Sequence, residues 1–203
     1  SYKFEHLGNQ FLKNINQKID VYKILIQSSK KNINHANQIL TDIDQEIRYC
    51  SSKDKTIIAY AKVGNGPPIL KAPNFMSSLE HDWRNPLWIH MYRFLAQERT
   101  LVRFDQRGNG SSDLDPLEIT FNNFVEDMEA VVHDSKIEKF PIFGVSQGCA
   151  VSIAYAIKFP EKVSHLVLIG GFARGKGKRN DPSYAAKSEM EQMMILSGWE
   201  DEN

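Results

Sequence analysis

The sequence predicts a layered α/β domain built on a mostly parallel sheet, and three observations carry that expectation. From residue 47 onward, strand signals and helix signals alternate. The helical segments between strands are long enough to serve as right-handed crossovers, which join parallel strands. A run Gly144-Val145-Ser146-Gln147-Gly148 connects a short apolar strand directly to a helix-like segment.

The elements follow in order. Ile47–Ser51 and Thr56–Val63 read as strands joined by the polar turn Ser52–Lys55, and Gly64–Pro68 is a turn cluster. Ile69–Ala72 is a short buried strand. Asn85 is a candidate N-cap with Pro86 at the first helical position, opening a helix striped by Leu87, Trp88, Met91, Phe94 and Leu95. Thr100–Phe104 is the next strand and runs into the loop Asp105–Ser112. Thr120 caps a helix whose Phe121, Phe124, Val125, Met128, Val131 and Val132 keep helical spacing. Phe140–Val145 is a strand, and the helix after Gly148 ends near Pro160, with Cys149, Ala150, Ile153, Ala154 and Ile157 expected on its sheet-facing side. His165–Ile169 is a further strand, closed by Gly170-Gly171. A basic loop, Arg174–Arg179, and a Met-rich helix, Pro182–Trp199, complete the chain. Upstream, Ser28–Gln38 has linker composition, with helix expected from His35 to Ile47. Ile19–Ile24 alternates as a strand, and Gly8-Asn9 reads as a turn.

Composition narrows the function. The 203 residues suit one medium domain with an appendage. Lys and Arg number 25 and Asp and Glu 25, so no net field draws the chain to nucleic acid or to an anionic membrane. No apolar run reaches membrane-spanning length and no segment reads as a signal peptide. Cys50 and Cys149 are too few for a disulfide framework and lie in no metal-ligand spacing. The expectation is a cytoplasmic protein without metal or cofactor. Ser1 at the start and a polar helix-like stretch at the end read as cuts through a longer protein.

The Gly-x-Ser-x-Gly pattern alone is weak, because at Gly frequencies near 7% it arises by chance in roughly 0.07 of chains this long. Its position between strand and helix is what discriminates. A serine forced into that tight turn has its hydroxyl held clear of the backbone, and the helix start beside it favours developing negative charge.

With its elbow Gly144–Gly148, the loop Asp105-Gln106-Arg107-Gly108-Asn109-Gly110-Ser111-Ser112 and the strand Val163–Gly170, all in matching order, the chain resembles the α/β-hydrolase family over residues 47–203. It is similar to hydrolase modules embedded in bacterial regulatory proteins. The resemblance implies Ser146 as nucleophile and the backbone N–H of Gln147 as one oxyanion donor. It implies a second donor from the loop after Ile69–Ala72, with Phe75 first and Met76 second. Family members commonly carry His-Gly there, whereas this chain has Ala72-Pro73-Asn74-Phe75. Asp105 and Arg107 are expected to hold the shape of their loop, and Glu80, His81 and Asp82 to form a surface cluster opening a helix. The resemblance also implies an acid and a histidine after the elbow. Of His6, His35, His81, His90, His133 and His165, only His165 follows Ser146, at the start of a strand, and Asp181 falls where the family inserts its cap. The expectation is a C-terminally truncated hydrolase domain, with core to about residue 171 and the start of a cap over 172–203, lacking the triad acid and histidine.

Residues 1–27, through Tyr2–Ile15 and Ile19–Ile24, resemble the closing β-hairpin of a class III adenylate/guanylate cyclase domain, followed by a linker over 28–46. That likeness implies a fused cyclase upstream, with metal-binding aspartates before Ser1, and Lys13 near a nucleotide triphosphate. Three readings follow: a serine hydrolase module acting on an ester, amide or similar bond; a ligand-sensing module controlling the fused cyclase; and an inert fragment.

Overall fold

The computed structural model describes residues 3–10, 19–25 and 45–175, with 178, 183, 185, 187–190, 192 and 193 beyond them. The chain divides into two compact units, Ser1–Ile43 and Asp44–Asn203. Lys13, linker residues 28–44 and Asp181 lie outside the described residues; at the described end of the helix expected from His35 to Ile47, Glu46 and Ile47 are strand instead, paired with Lys62 and Ala61.

In the first unit β1 (Lys3–Gln10) pairs antiparallel with β2 (Ile19–Leu25). The register runs from Lys3↔Leu25 to His6↔Tyr22, then slips before Asn9↔Asp20. Gly8-Asn9 is therefore an irregularity inside β1 and not a turn. Gly8 has φ +84°, and a positive-φ glycine serves a bulge as readily as a turn.

The second unit holds a six-stranded sheet in the order β3 (Glu46–Ser51), β4 (Ile57–Val63), β6 (Thr100–Phe104), β5 (Pro68–Lys71), β7 (Phe140–Val145), β8 (Val163–Ile169). From β6 to β8 all pairings are parallel, while β4 is antiparallel to both β6 and β3. The helices are α1 (Leu79–Arg84), α2 (Ile89–Glu98), α3 (Phe121–Ser135) and α4 (Gln147–Lys158). Successive residues of β6 expose the two faces. Val102 and Phe104 join the main core with Val125, Met128, Val131 and Val132 of α3 and Val151 and Tyr155 of α4. The intervening Arg103 guanidinium lies instead 4.2 Å from the Tyr92 ring centroid of α2 and 5.2 Å from that of Trp83 in α1.

Local chemistry sets the helix ends. Thr120 Oγ1 accepts from Asn123 N and Asn123 Oδ1 accepts from Thr120 N, a reciprocal cap on α3. Asn85 does not open a helix. It closes α1, donating its N–H to His81 O at extended φ, ψ of −70°, 122°, the backbone that a following proline enforces. Because Pro86 stays outside, α2 starts at Ile89 and buries Ile89, Tyr92 and Ala96, leaving Leu87 and Phe94 exposed. In α4 the buried side is Gly148, Cys149, Val151, Ser152 and Tyr155, whereas Ile153 and Ile157 are exposed. Where this helix comes closest to its neighbours, at Gly148 and Ser152, the residues are small, while Val151 and Tyr155 make its core contacts. Ser152 tolerates burial by donating Oγ to Gly148 O at 2.6 Å. At the edge of the described sheet, Leu166 to Ile169 of β8 are all exposed.

Arg107 ties the connections together. Fully buried, it reaches Asp127 of α3 through Nε (2.8 Å) and Nη2 (2.6 Å), and Asp54 in the β3–β4 turn through Nη1 (2.6 Å). It also donates Nη1 to Glu118 O at 2.9 Å. The forked geometry suits a guanidinium, and it holds the Asp54 carboxyl well below the usual range. Replacing Arg107 by Met would leave Asp127, with its side chain 1% exposed, as an unpaired buried charge. Urea unfolding of Arg107→Met should show a loss of about 3–5 kcal/mol; a loss of about 1 kcal/mol or less, as for a surface pair, would contradict this account.

Candidate active site

Between the end of β7 at Val145 and the start of α4 at Gln147 stands one residue, Ser146, with φ +52° and ψ −116°. Such a conformation costs a non-glycine residue on the order of 1–3 kcal/mol and persists only where its surroundings impose it. Here they do. Ser146 N donates to Ile169 O of β8 at 2.9 Å, and Ser146 O accepts from Cys149 N at 3.1 Å. The flanking glycines allow the close approach. A Cβ at Gly144 would stand 2.8 Å from Ser152 Oγ, and one at Gly148 would stand 2.6 Å from Pro73 O. The Ser146 hydroxyl makes no capping bond to its own helix and the residue is half-buried. It is left available above the start of α4, where the N–H of Gln147 has no intrahelical partner.

Two further loops close on this turn. After β5, Ala72 N donates to Phe143 O at 2.9 Å, extending the β5–β7 ladder by one rung. Pro73 then rests against Gly148, and Asn74, Phe75 and Met76 turn outward, with Phe75 and Met76 exposed and Met76 at φ +58°. Asn74 Nδ2 donates to Phe75 O at 3.1 Å, and its Oδ1 accepts from Lys71 Nζ. After β6, Gln106 N donates to Ser77 Oγ at 3.2 Å, and Gln106 Oε1 accepts from Gln147 Nε2 at 3.1 Å. Gln106 thus bridges both loops to the elbow. Sequence reasoning singled out its neighbours Asp105 and Arg107 and passed over it; its place between them in a Gly-rich loop was the available signal.

Asp105 and Arg107 do not pair with each other. Arg107 turns to Asp127 and Asp54, while Asp105 Oδ2 accepts from Ser111 N at 2.8 Å and its main-chain O accepts from Ser112 Oγ at 2.8 Å. Asp105 is 1% exposed, and burial pushes its pKa up to about 6. Glu80 and His81 are exposed on α1 beside a shallow groove with Ser78, Arg84, Asn85 and Pro86, whereas Asp82 is buried.

His165 is not placed to serve Ser146. Ile169 pairs with Val145, next to the elbow, so His165 lies four residues back along β8, roughly 13 Å away. His81, His90 and His133 are all exposed on α1, α2 and α3. Both cysteines are buried and unbridged, Cys149 donating weakly to Gly144 O and Ile169 O. Among the described residues no group of three His, Cys, Asp or Glu side chains could hold a metal ion.

Comparison with known proteins agrees with this architecture. The family model described as alpha/beta hydrolase fold matches residues 77–202. Pyrrolizixenacetamide deacetylase of Xenorhabdus hominickii is 22% identical over 150 residues, covering 70% of this chain and 54% of that protein. The 1-acylglycerol-3-phosphate O-acyltransferase of Rattus norvegicus is 33% identical over 88 residues, 41% of this chain and 25% of that one. The chain thus spans about half the length, or less, of these relatives. Among solved structures, a haloalkane dehalogenase from Bradyrhizobium elkani superposes with TM-score 0.59 at 17% identity, covering 71% of this chain and 49% of its own.

Two outcomes check the geometry. Gly148→Ala should destabilise the fold by about 1–3 kcal/mol, because its Cβ meets a main-chain oxygen, and should displace the 73–76 loop in a crystal structure; an unmoved loop at full stability would contradict the contact. The raised pKa of Asp105 means that its ionisation opposes folding. Its cost is absent below about pH 4 and complete above about pH 6, worth roughly 2–3 kcal/mol. Urea unfolding from pH 4 to 7 should therefore show the parent losing stability relative to Asp105→Asn as pH rises through that window, and a constant difference would refute it.

Proposed function

This chain belongs to the α/β-hydrolase fold family, and on that premise we propose that it is a serine hydrolase module acting on an ester, amide or similar bond. The observation that carries the reading is Ser146, held at positive φ on a strand-to-helix turn with its hydroxyl unengaged by the helix. Its Oγ attacks the acyl carbon of a small-molecule substrate. The N–H of Gln147 and an N–H of the 73–76 loop, Phe75 in the sequence reading, receive the oxyanion. The deacetylase among its relatives supports acyl chemistry of this kind. A general base is still required. His165 lies too far back along β8 to serve Ser146, and we assign the base and its orienting acid to residues outside those described.

The hairpin of β1 and β2 supports the finer part of the reading. On its resemblance to the end of a class III cyclase domain, we propose that the module is part of a larger cytoplasmic signalling protein with a nucleotide cyclase upstream, in which Lys13 serves the nucleotide phosphates. Among the described residues no helix is long and apolar enough to cross a membrane. A second reading, a non-catalytic module that senses an acyl-like ligand for that cyclase, is favoured by Ala72-Pro73-Asn74 standing where the family commonly has His-Gly.

A fluorophosphonate probe applied to the full-length protein should label Ser146 and fail on Ser146→Ala. Absence of labelling, combined with ligand-dependent change in cyclase output, would replace the hydrolase by the sensor.

A further inference from the structure

A buried ammonium ordinarily answers a carboxylate, and among the described residues Lys71 has no carboxylate within ion-pair distance. It ends β5 at 2% exposure, on the same side of the sheet as Arg103. Its Nζ hydrogen-bonds to the neutral Oδ1 of Asn74, and the Trp88 ring centroid lies 6.0 Å away. Asp82 of α1 and Asp105 beyond β6 attract it through space without a hydrogen bond, and Arg103 opposes them. Tyr92 of α2 faces Arg103 rather than Lys71. Burial pushes the Lys71 pKa down to about 8.

The structural return on this arrangement lies in the next turn of chain. With Oδ1 of Asn74 taken by Lys71, its Nδ2 is directed to Phe75 O at 3.1 Å. Carbonyl and N–H of a trans peptide point to opposite sides, so the hold on Phe75 O sets the plane of the Phe75–Met76 peptide and aims the Met76 N–H. Met76 sits at φ +58°, a conformation that needs such support. Pro73 O, against Gly148, anchors the same turn to the elbow.

We propose that Lys71 is a positioning residue of this site: its ammonium locks the Asn74 side chain and so directs the Met76 N–H, the second of the two donors named for that loop, towards Ser146. This rests on the reading of that loop as the second half of the oxyanion hole. A lysine beneath the loop does here the ordering work for Ala72-Pro73-Asn74. The charged form makes the stronger, charge-assisted bond to Asn74, so the lock weakens as pH rises through the Lys71 pKa.

The test uses the full-length protein and two readouts. In an NMR titration the Met76 amide should shift with the same midpoint as the Lys71 amine, near pH 8, and Asn74→Ala should abolish the coincidence. In fluorophosphonate labelling of Ser146, Lys71→Met and Asn74→Ala should each slow the reaction about tenfold or more, with no further loss in the double variant and melting temperatures close to the parent's. A Met76 amide indifferent to Lys71, or Lys71→Met that melts and labels as the parent does, would overturn the proposal. If Lys71→Met does not fold, Asn74→Ala carries the labelling arm. If the parent does not label, the hydrolase reading fails while the titration alone still decides the role of Lys71.

Discussion

The site depends on a steric constraint: α4 approaches β7 and the 73–76 loop so closely that residues 144 and 148 can carry no side chain. A Cβ at Gly148 would sit 2.6 Å from Pro73 O, and one at Gly144 only 2.8 Å from Ser152 Oγ. That approach leaves Ser146 alone to reverse the chain, at a φ that its own side chain disfavours. The strain and the exposure of the hydroxyl are two consequences of one contact. The same contact explains why Ser152, and not a larger apolar residue, stands beside Gly144.

Around that turn the loops are held from beneath by buried polar groups. Arg107 joins the β3–β4 turn, α3 and the carbonyl of Glu118, so the segment that carries Gln106 cannot drift from the elbow. Gln106 then meets Gln147 and Ser77. On the other side Lys71 and Asn74 order the loop after β5. Buried charge is costly unless paired or hydrogen-bonded, and here those groups sit beneath the loops around Ser146.

Much of the fold was legible in the sequence because strand and helix periods are local. Thr100–Phe104 and Phe140–Val145 coincide with observed strands, and Thr120 caps its helix as expected. The errors arose where a local signal had more than one outcome. Asn85-Pro86 can open a helix or close one, and the competing cap at Ser78, accepting from His81 N, decided it. Gly8-Asn9 can turn a chain or bulge a strand. Asp105 and Arg107 do hold their loop, through Ser111, Ser112 and the carbonyl of Glu118, but the carboxylates that answer Arg107, Asp54 and Asp127, are distant in sequence.

The sequence by itself determined the order of the strands from Ile47 onward, the parallel crossovers and the serine at a strand-to-helix junction, since each is written in neighbouring residues through periodicity, caps and turn chemistry. Only the tertiary structure decided which side of α2 and α4 is buried, which carboxylates Arg107 answers, and that Gln106 and Lys71 belong to the surroundings of Ser146. Those outcomes depend on volumes and partners supplied by segments tens of residues away, which no local pattern encodes.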